Sequence, residues 1–377
     1  MKRTIKRLSI PALLLVAAQA ALADPKGVTD DNLPLFYQAL KERMSFPLAY
    51  EGGDPAVWRE QVLPQVRASI LPYTASRPFE AELIDEIDRG SYLARRIAFN
   101  VSDESRVTAL LLVPKGEGPF PAALMLHDHG SRFDIGKEKW IAPWYDDPRL
   151  ESANEWADKF FSGRFPGEVL AERGYVVLAT DALGWGDRES NGYEAQQALA
   201  ANLFNLGSSL AGLIALEDMR AAAFLAALPD TDPDRVAAVG FSMGAFRAWQ
   251  VAALSPHISA TVANAWMAQA KELMVPGNNQ LRGQSAFNML HPSLLRLLDF
   301  PDVAALAAPA PMLVYAGEED MLFPPSAVEG AMARMHEIWS AHGADDQLNT
   351  RLWQGKGHVF TADMQDAAFE WLDAQLK

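Results

Sequence analysis

The feature that most constrains the fold is the segment 240–244, which reads Gly-Phe-Ser-Met-Gly. A short apolar run, residues 236–239, precedes it, and residues 245–254 have helical periodicity. A strand, the pattern G-x-S-x-G and a helix together predict a sharp turn that holds a serine hydroxyl above a sheet. Glycine suits both ends of such a turn because a Cβ there would collide with the neighbouring strand or helix. Ser242 is therefore the candidate nucleophile.

Short apolar runs typical of strands buried on both faces recur along the chain and alternate with helical segments. The runs are residues 122–126, 175–180, 236–239, 260–263 and 312–316, with a final short strand at 352–353. The main helical segments are residues 210–228, 326–342 and 362–376. A polar turn at 102–105 joins two strand-like segments in an antiparallel hairpin. This alternation predicts an α/β fold with a mostly parallel, doubly wound sheet and helices on both faces.

Residues 1–23 have the pattern of an export signal. Four cations among the first seven residues precede a short apolar core, and Ala21 and Ala23 occupy the −3 and −1 sites. The apolar run is shorter than the ~20 residues that span a bilayer. We therefore expect cleavage before Asp24 and a periplasmic or extracellular protein with no stable membrane association.

The remaining chain is predicted to hold an extension and a catalytic domain. Residues 24–90 show helical spacing of apolar residues and are expected to form a helical N-terminal extension, either packed on the main domain or acting as a lid. Residues 91–377 are expected to form the catalytic domain, with insertions at about 131–165 and 266–300. The net charge of −15 and the lack of clustered Lys and Arg exclude nucleic acid as an expected partner.

A serine hydroxyl needs a general base that a carboxylate orients. With the chain order Ser, acid, His, the predicted base is His358, which lies in a glycine-containing loop between the last strand and the last helix. His291 instead could line a pocket. Asp320, which precedes an apolar stretch, is the predicted acid, and Glu319 is the alternative.

The tetrahedral intermediate of acyl transfer needs N–H donors for its oxyanion. Met243, at the start of the predicted helix, should supply one backbone N–H, and His129, in the loop 127–130, should supply the other. A metal bound by His127 and His129 is the alternative, but no third ligand accompanies them at metal spacing. We predict neither a metal nor a cofactor.

These motifs, in this order, resemble the α/β-hydrolase superfamily, and within it the dienelactone hydrolase and acetyl xylan esterase-like branch, which borders the prolyl oligopeptidase-type peptidases. The segments 126–130, 136–139, 240–244 and 317–320 carry the resemblance, which covers about residues 92–377. It implies ester hydrolysis by a serine nucleophile. Dienelactone hydrolases proper use a cysteine, and this chain has none, so their lactone substrate is not carried over.

The two insertions are rich in aromatic and amide side chains, which favour a small-molecule or carbohydrate ester unless the aromatic residues only pack the insertions. The expected substrate-binding residues are His127, Asp128, Trp185, Asn279 and Arg282. The resulting hypothesis is an exported serine esterase. The alternatives are a serine peptidase of the prolyl oligopeptidase-like type and a non-catalytic binding protein on a hydrolase scaffold.

Overall fold

The computed structural model describes residues 37–71, 73–189, 192–278 and 285–377. The chain divides into two units, Met1–Met44 and Ser45–Lys377. In the first unit the described residues form helix α1, Tyr37–Glu42. The predicted signal peptide, residues 1–23, lies outside the described residues and stays a prediction.

The second unit begins with helix α2, Pro55–Ile70. The carboxylate of Asp54 caps the helix by accepting hydrogen bonds from N–H groups of its first turn. Val62 and Val66 are buried, as their helical spacing predicts, and Pro64 lies inside the helix. This part of residues 24–90 is therefore helical.

A nine-stranded sheet forms the centre of this unit. The strands are β1 Glu82–Asp88, β2 Tyr92–Asn100, β3 Arg106–Pro114, β4 Phe120–Leu126, β5 Val176–Thr180, β6 Thr231–Phe241, β7 Ala260–Asn264, β8 Met312–Gly317 and β9 Leu348–Trp353. Their order is β1-β2-β3-β5-β4-β6-β7-β8-β9. The pairs among β1, β2, β3 and β5 are antiparallel, and all pairs from β5 to β9 are parallel. The predicted hairpin and the predicted mostly parallel sheet are confirmed.

The prediction of a helical extension up to residue 90 is wrong at its C-terminal end, where β1 pairs with β2 at the edge of the sheet. The side chains of β1 are mostly exposed, so its sequence lacks the apolar alternation by which a half-buried strand is recognised. The unit boundary lies at Ser45 and not at residue 91, because β1 and α2 belong to the same unit as the rest of the sheet.

Helices cover both faces of the sheet. They are α3 Asp147–Phe160, α4 Pro166–Glu172, α5 Tyr193–Asn205, α6 Leu210–Ala226, α7 Met243–Leu254, α8 Ala270–Leu273, α9 Phe300–Ala305, α10 Pro325–Ala341 and α11 Ala362–Leu376. Side chains of β4 alternate between two cores: Leu124 packs with residues of α6, α7 and α10, and Met125 with residues of α4 and α11. Burial on both faces explains the continuous apolar run of this strand.

Among the residues that the structure describes, no single helix has the length and apolar character of a membrane span. The bent pair Tyr193–Asn205 and Leu210–Ala226 meets those two criteria only when the helices are taken together.

Candidate active site

Ser242 occupies the turn between β6 and α7 in a backbone conformation that L-residues rarely adopt, with φ 55° and ψ −126°. Two close backbone approaches enforce this turn. A Cβ on Gly240 would overlap the backbone of Gly244, and a Cβ on Gly244 would overlap the carbonyl oxygen of Leu126 at the end of β4. The backbone N–H of Ser242 also donates to the carbonyl of Asn264 over 2.8 Å. The glycines of the motif therefore hold the serine at the carboxyl ends of the parallel strands.

The side chains of Ser242, His358 and Asp320 form a continuous hydrogen-bonded chain. Ser242 Oγ lies 2.8 Å from His358 Nε2, and His358 Nδ1 lies 2.6 Å from Asp320 Oδ2. The second carboxylate oxygen of Asp320 accepts from the backbone N–H of Leu322 over 2.9 Å. Phe323 stacks on the imidazole with an interplanar angle of 17°. The three residues that the chain-order rule selected thus come together with the geometry of a nucleophile, a base and an orienting acid.

The loops that carry Asp320 and His358 are joined through their backbones. Asp320 lies just after β8, and His358 lies between β9 and α11. The N–H of Glu319 donates to the carbonyl of Lys356 over 2.8 Å, which ties the two loops together. The side chain of Glu319 is exposed, whereas Asp320 is 4% exposed. Asp320, and not Glu319, is the carboxylate that meets the histidine.

The loop after β4 lies beside the serine, but His127 does not face the cavity, so its assignment to substrate binding is wrong. This residue is fully buried and both of its ring nitrogens are occupied. Nδ1 donates to the carbonyl of Asp128 over 2.8 Å, and Nε2 accepts from the N–H of Ala182 over 3.0 Å. Burial lowers the pKa of His127 well below its usual value, so the ring is neutral. Its nitrogens are therefore already engaged and are not offered to a metal ion.

His129 and Asp128 line the cavity, and both make hydrogen bonds within the fold. His129 Nε2 donates to Gln196 Oε1 over 3.0 Å, and burial lowers the pKa of His129 to about 3. The carboxylate of Asp128 accepts from Lys139 Nζ over 3.2 Å and from Trp156 Nε1 over 3.2 Å. Both side chains therefore stabilise the loop.

Trp185 is fully buried, and its Nε1 donates to the carbonyl of His129 over 2.9 Å, so its assignment to substrate binding is also wrong. A tryptophan after a strand end looks like a pocket wall in sequence, but here it packs under the loop. Asn279 and Arg282 lie outside the described residues. His291 is buried and does not belong to the described lining of the cavity at Ser242. Its Nε2 accepts a hydrogen bond from Gln250 Nε2 over 3.1 Å.

A cavity of about 290 Å³ opens at Ser242. Its described lining comprises Asp128, His129, Gly130, Ser131, Trp156, Lys159, Phe160, Tyr193, Phe241, Ser242, Ser285, Leu322 and His358. A second recess of about 30 Å³ also reaches Ser242 and is lined by Trp266, Met289 and Phe323 among others. Phe241 and Tyr193 line the larger cavity but were not among the substrate-binding residues predicted from the sequence. Trp156 and Phe160 lie four residues apart on α3, a spacing that puts both on one helix face and that can be found in the sequence.

Among the described residues, no group of three or more His, Cys, Asp or Glu side chains is arranged to hold a metal ion.

The class of protein follows from this arrangement. A mostly parallel sheet that presents a serine on a strand–turn–helix, with an acid and a histidine on later loops, defines the α/β-hydrolase fold. Residues 166–374 match the model of the dienelactone hydrolase family, which is more than half of the chain. The chain belongs to this family and is a hydrolase.

Known proteins agree with this assignment. The "Putative hydrolase YtaP" of Bacillus subtilis (strain 168) is 27% identical over 301 residues, which cover 80% of this chain and 94% of that protein. A "putative acetyl xylan esterase" from Bacteroides fragilis superimposes with a TM-score of 0.67 at 19% identity, covering 85% of this chain and 81% of that one. A glucuronoyl esterase from Solibacter usitatus gives a TM-score of 0.62 at 16% identity, covering 88% and 98%. At these identities the structural likeness establishes the fold.

Proposed function

We propose that this protein hydrolyses carboxylic esters through an acyl-enzyme on Ser242, and that its substrates are small acyl esters of carbohydrates. The observation that carries the proposal is the hydrogen-bonded chain from Asp320 through His358 to Ser242. A hydroxyl bonded to a neutral imidazole can lose its proton as it attacks, and a buried carboxylate stabilises the imidazolium that forms.

In the proposed reaction, Ser242 Oγ attacks the acyl carbon while its proton passes to His358 Nε2. The tetrahedral intermediate then collapses, the ester C–O bond breaks, and the alcohol leaves with the proton from His358. Water attacks the acyl-enzyme and gives a proton to the same imidazole, and the second collapse releases the acid and restores the serine hydroxyl. Asp320 keeps Nδ1 protonated and the ring oriented throughout.

The oxyanion is assigned to the backbone N–H groups of Met243 and His129. Met243 is the first residue of α7, so its N–H has no acceptor within the helix and lies at the positive end of the helix dipole. His129 lines the cavity at Ser242, and no acceptor for its backbone N–H occurs in the described part of the chain. Both donors are available for a charge that develops on the carbonyl oxygen.

Two features support the substrate class. The recess at Ser242 is small, about 30 Å³, and Trp266, Met289 and Phe323 line it, which favours a short acyl group such as acetyl over a long acyl chain. The aromatic side chains of Phe160 and Tyr193, which are half-buried in the wider cavity, offer flat apolar surfaces for a sugar ring. Two neighbours in structure carry the names acetyl xylan esterase and glucuronoyl esterase.

The test is hydrolysis of p-nitrophenyl acetate, butyrate and octanoate, followed by acetylated xylo-oligosaccharides and a methyl glucuronate ester. We expect kcat/KM to fall as the acyl chain lengthens. Ser242→Ala should lower kcat by roughly 10⁵-fold or more. Ser131→Ala, which removes another hydroxyl from the same cavity, is the matched control and should stay within about tenfold of wild type. Equal turnover by Ser242→Ala and wild type would overturn the proposal, and hydrolysis of peptide anilides alone would move it to a peptidase.

We also propose that residues 1–23 direct export and are removed, from their cationic start, short apolar core and small residues before Asp24. Mass spectrometry of the protein from periplasm and medium should find Asp24 as the first residue. A cytoplasmic protein that retains the leader would contradict export.

A further inference from the structure

We propose that Lys139 is a positioning residue that directs the backbone N–H of His129, the proposed oxyanion donor, together with that of Gly130, towards the cavity at Ser242. The inference rests on the proposed function, since it assigns a role in the same acyl transfer. Lys139 closes the short 3-10 helix Lys137–Lys139 and is fully buried.

All three N–H bonds of the Lys139 ammonium are directed at the loop after β4. Nζ lies 3.0 Å from the carbonyl oxygen of Asp128, 3.2 Å from its carboxylate and 3.2 Å from the carbonyl oxygen of His129. It also lies 4.7 Å from the centroid of the Trp156 ring, which forms part of the cavity wall. One buried cation therefore binds two successive peptide carbonyls next to the nucleophile.

The geometry of the peptide bond turns this contact into an orientation for the N–H groups. In a trans peptide, the C=O of one residue and the N–H of the next point in opposite directions. A cation that binds the carbonyls of Asp128 and His129 therefore directs the N–H groups of His129 and Gly130 away from itself. No acceptor for either N–H occurs among residues 37–71, 73–189, 192–278 and 285–377. Both residues line the cavity that contains Ser242.

The same contact makes these N–H groups better donors, because a positive charge on a carbonyl oxygen polarises the whole peptide and hydrogen bonds in series strengthen one another. Two neutral side chains bind the same carbonyls from inside the fold. His127 Nδ1 donates to the carbonyl of Asp128, and Trp185 Nε1 donates to that of His129. Each carbonyl thus accepts two hydrogen bonds, and Lys139 is the partner that they share.

A purely structural role is the competing explanation, since a buried lysine beside Asp128 also forms an ion pair. Burial lowers the pKa of Lys139, and the Asp128 carboxylate opposes that shift. The chain itself offers the control that separates the two roles. Lys137, in the same 3-10 helix, is equally buried, but its Nζ binds three carboxylates, those of Asp181 over 2.6 Å, Glu138 over 2.9 Å and Asp187 over 2.9 Å, and makes no bond to the loop.

The experiment compares Lys139→Met with Lys137→Met in the full-length protein. Each variant removes one buried charge and keeps a side chain of similar length. Melting temperature, kcat and KM are measured with p-nitrophenyl acetate. For Lys139→Met we expect kcat to fall by about 10²–10³-fold, as for loss of an oxyanion donor, with KM within about threefold of wild type. For Lys137→Met, which leaves three carboxylates without their cation, we expect a larger fall in melting temperature but a kcat within about tenfold of wild type.

A second measurement follows the tetrahedral state directly. Phenylboronic acid forms a tetrahedral adduct with a reactive serine, so its affinity should fall in Lys139→Met by about the same factor as kcat. If Lys139→Met does not fold, Lys139→Met/Asp128→Asn removes both charges and should show the same fall in kcat. Equal kcat losses in the two lysine variants, or an unchanged boronate affinity, would overturn the inference. Wild-type turnover that does not depend on Ser242 would overturn the proposed function instead.

Discussion

The backbone of Ser242 provides a test that separates the cost of the turn from its chemistry. Its φ of 55° and ψ of −126° lie in a region that glycine occupies readily and other residues do not. Ser242→Gly and Ser242→Ala both remove the hydroxyl and its hydrogen bond to His358. Only Ser242→Gly also removes the Cβ. The difference between the two variants therefore reports the strain of the turn.

The expected difference follows from two opposing contributions. A non-glycine residue held in such a region costs about 1–3 kcal/mol of folded-state free energy. Glycine loses more backbone entropy on folding than alanine, which costs about 0.5–1 kcal/mol. The net prediction is that Ser242→Gly is more stable than Ser242→Ala by about 0.5–2 kcal/mol. With roughly 2.1 cal/mol/K of unfolding entropy per residue, this corresponds to a difference in Tm of about 1–3 °C for a chain of this size.

The assay is paired calorimetry of the two variants at one concentration and pH, with esterase activity measured on the same samples. Both variants should be inactive. Ser152 lies in the interior of α3, so Ser152→Gly and Ser152→Ala form the control pair, and there glycine should be less stable by about 1 kcal/mol. A melting temperature of Ser242→Ala equal to or above that of Ser242→Gly would show that a Cβ at position 242 does not strain the turn, which would contradict this prediction.

Three further changes test the site and its support. Asp320→Asn should lower kcat by roughly 10⁴-fold because the amide favours the wrong tautomer of His358, and a loss below tenfold would argue for another acid. Gly244→Ala should lower the free energy of unfolding by about 1–3 kcal/mol and abolish activity, since its Cβ would meet the carbonyl of Leu126; a native melting curve would contradict the packing argument. Burial raises the pKa of Asp299 to about 6, so the folded state keeps this proton at pH values where the unfolded chain has lost it. The stabilisation that the bound proton gives the folded state is complete at low pH and is lost as pH rises from about 4 through 6. Asp299→Asn should therefore stabilise the protein by about 2–3 kcal/mol at pH 7.5 and by little at pH 4, and equal effects at both pH values would refute this.

The meeting of Ser242, His358 and Asp320 could be predicted because each residue carries a local signal that topology then brings together. Ser242 lies between a strand and a helix, Asp320 follows an apolar strand, and His358 occupies the last loop before the final helix. Parallel strands present their carboxyl ends at one edge of the sheet, so side chains far apart in sequence meet there. Strand periodicity and chain order were therefore sufficient to predict that these three residues come together.

Other parts of the structure depend on contacts that no local pattern encodes. β1 is an exposed strand at the edge of the sheet, so it pairs with one neighbouring strand and buries little apolar surface. Its acidic sequence therefore lacks the pattern from which a strand is predicted. Likewise, Lys137 and Lys139 look like exposed charges in a polar segment, yet both are fully buried because carboxylates and carbonyls distant in sequence surround them. Burial of a charge is decided by its partners, and those become known only when the fold is assembled.

The wrong assignments of His127 and Trp185 have one physical cause. The loop after β4 is buried, so its carbonyl groups cannot be solvated and must find donors inside the protein. The side chains of His127, Trp185 and Lys139 supply those donors to the carbonyls of Asp128 and His129. Polar residues near the end of a buried strand therefore serve the backbone of the loop before they serve a ligand. In such a site the substrate contacts should therefore be sought among residues that line the cavity from separate helices, as Phe160 and Tyr193 do. The polar residues around the strand end instead determine where the backbone N–H groups of the loop point.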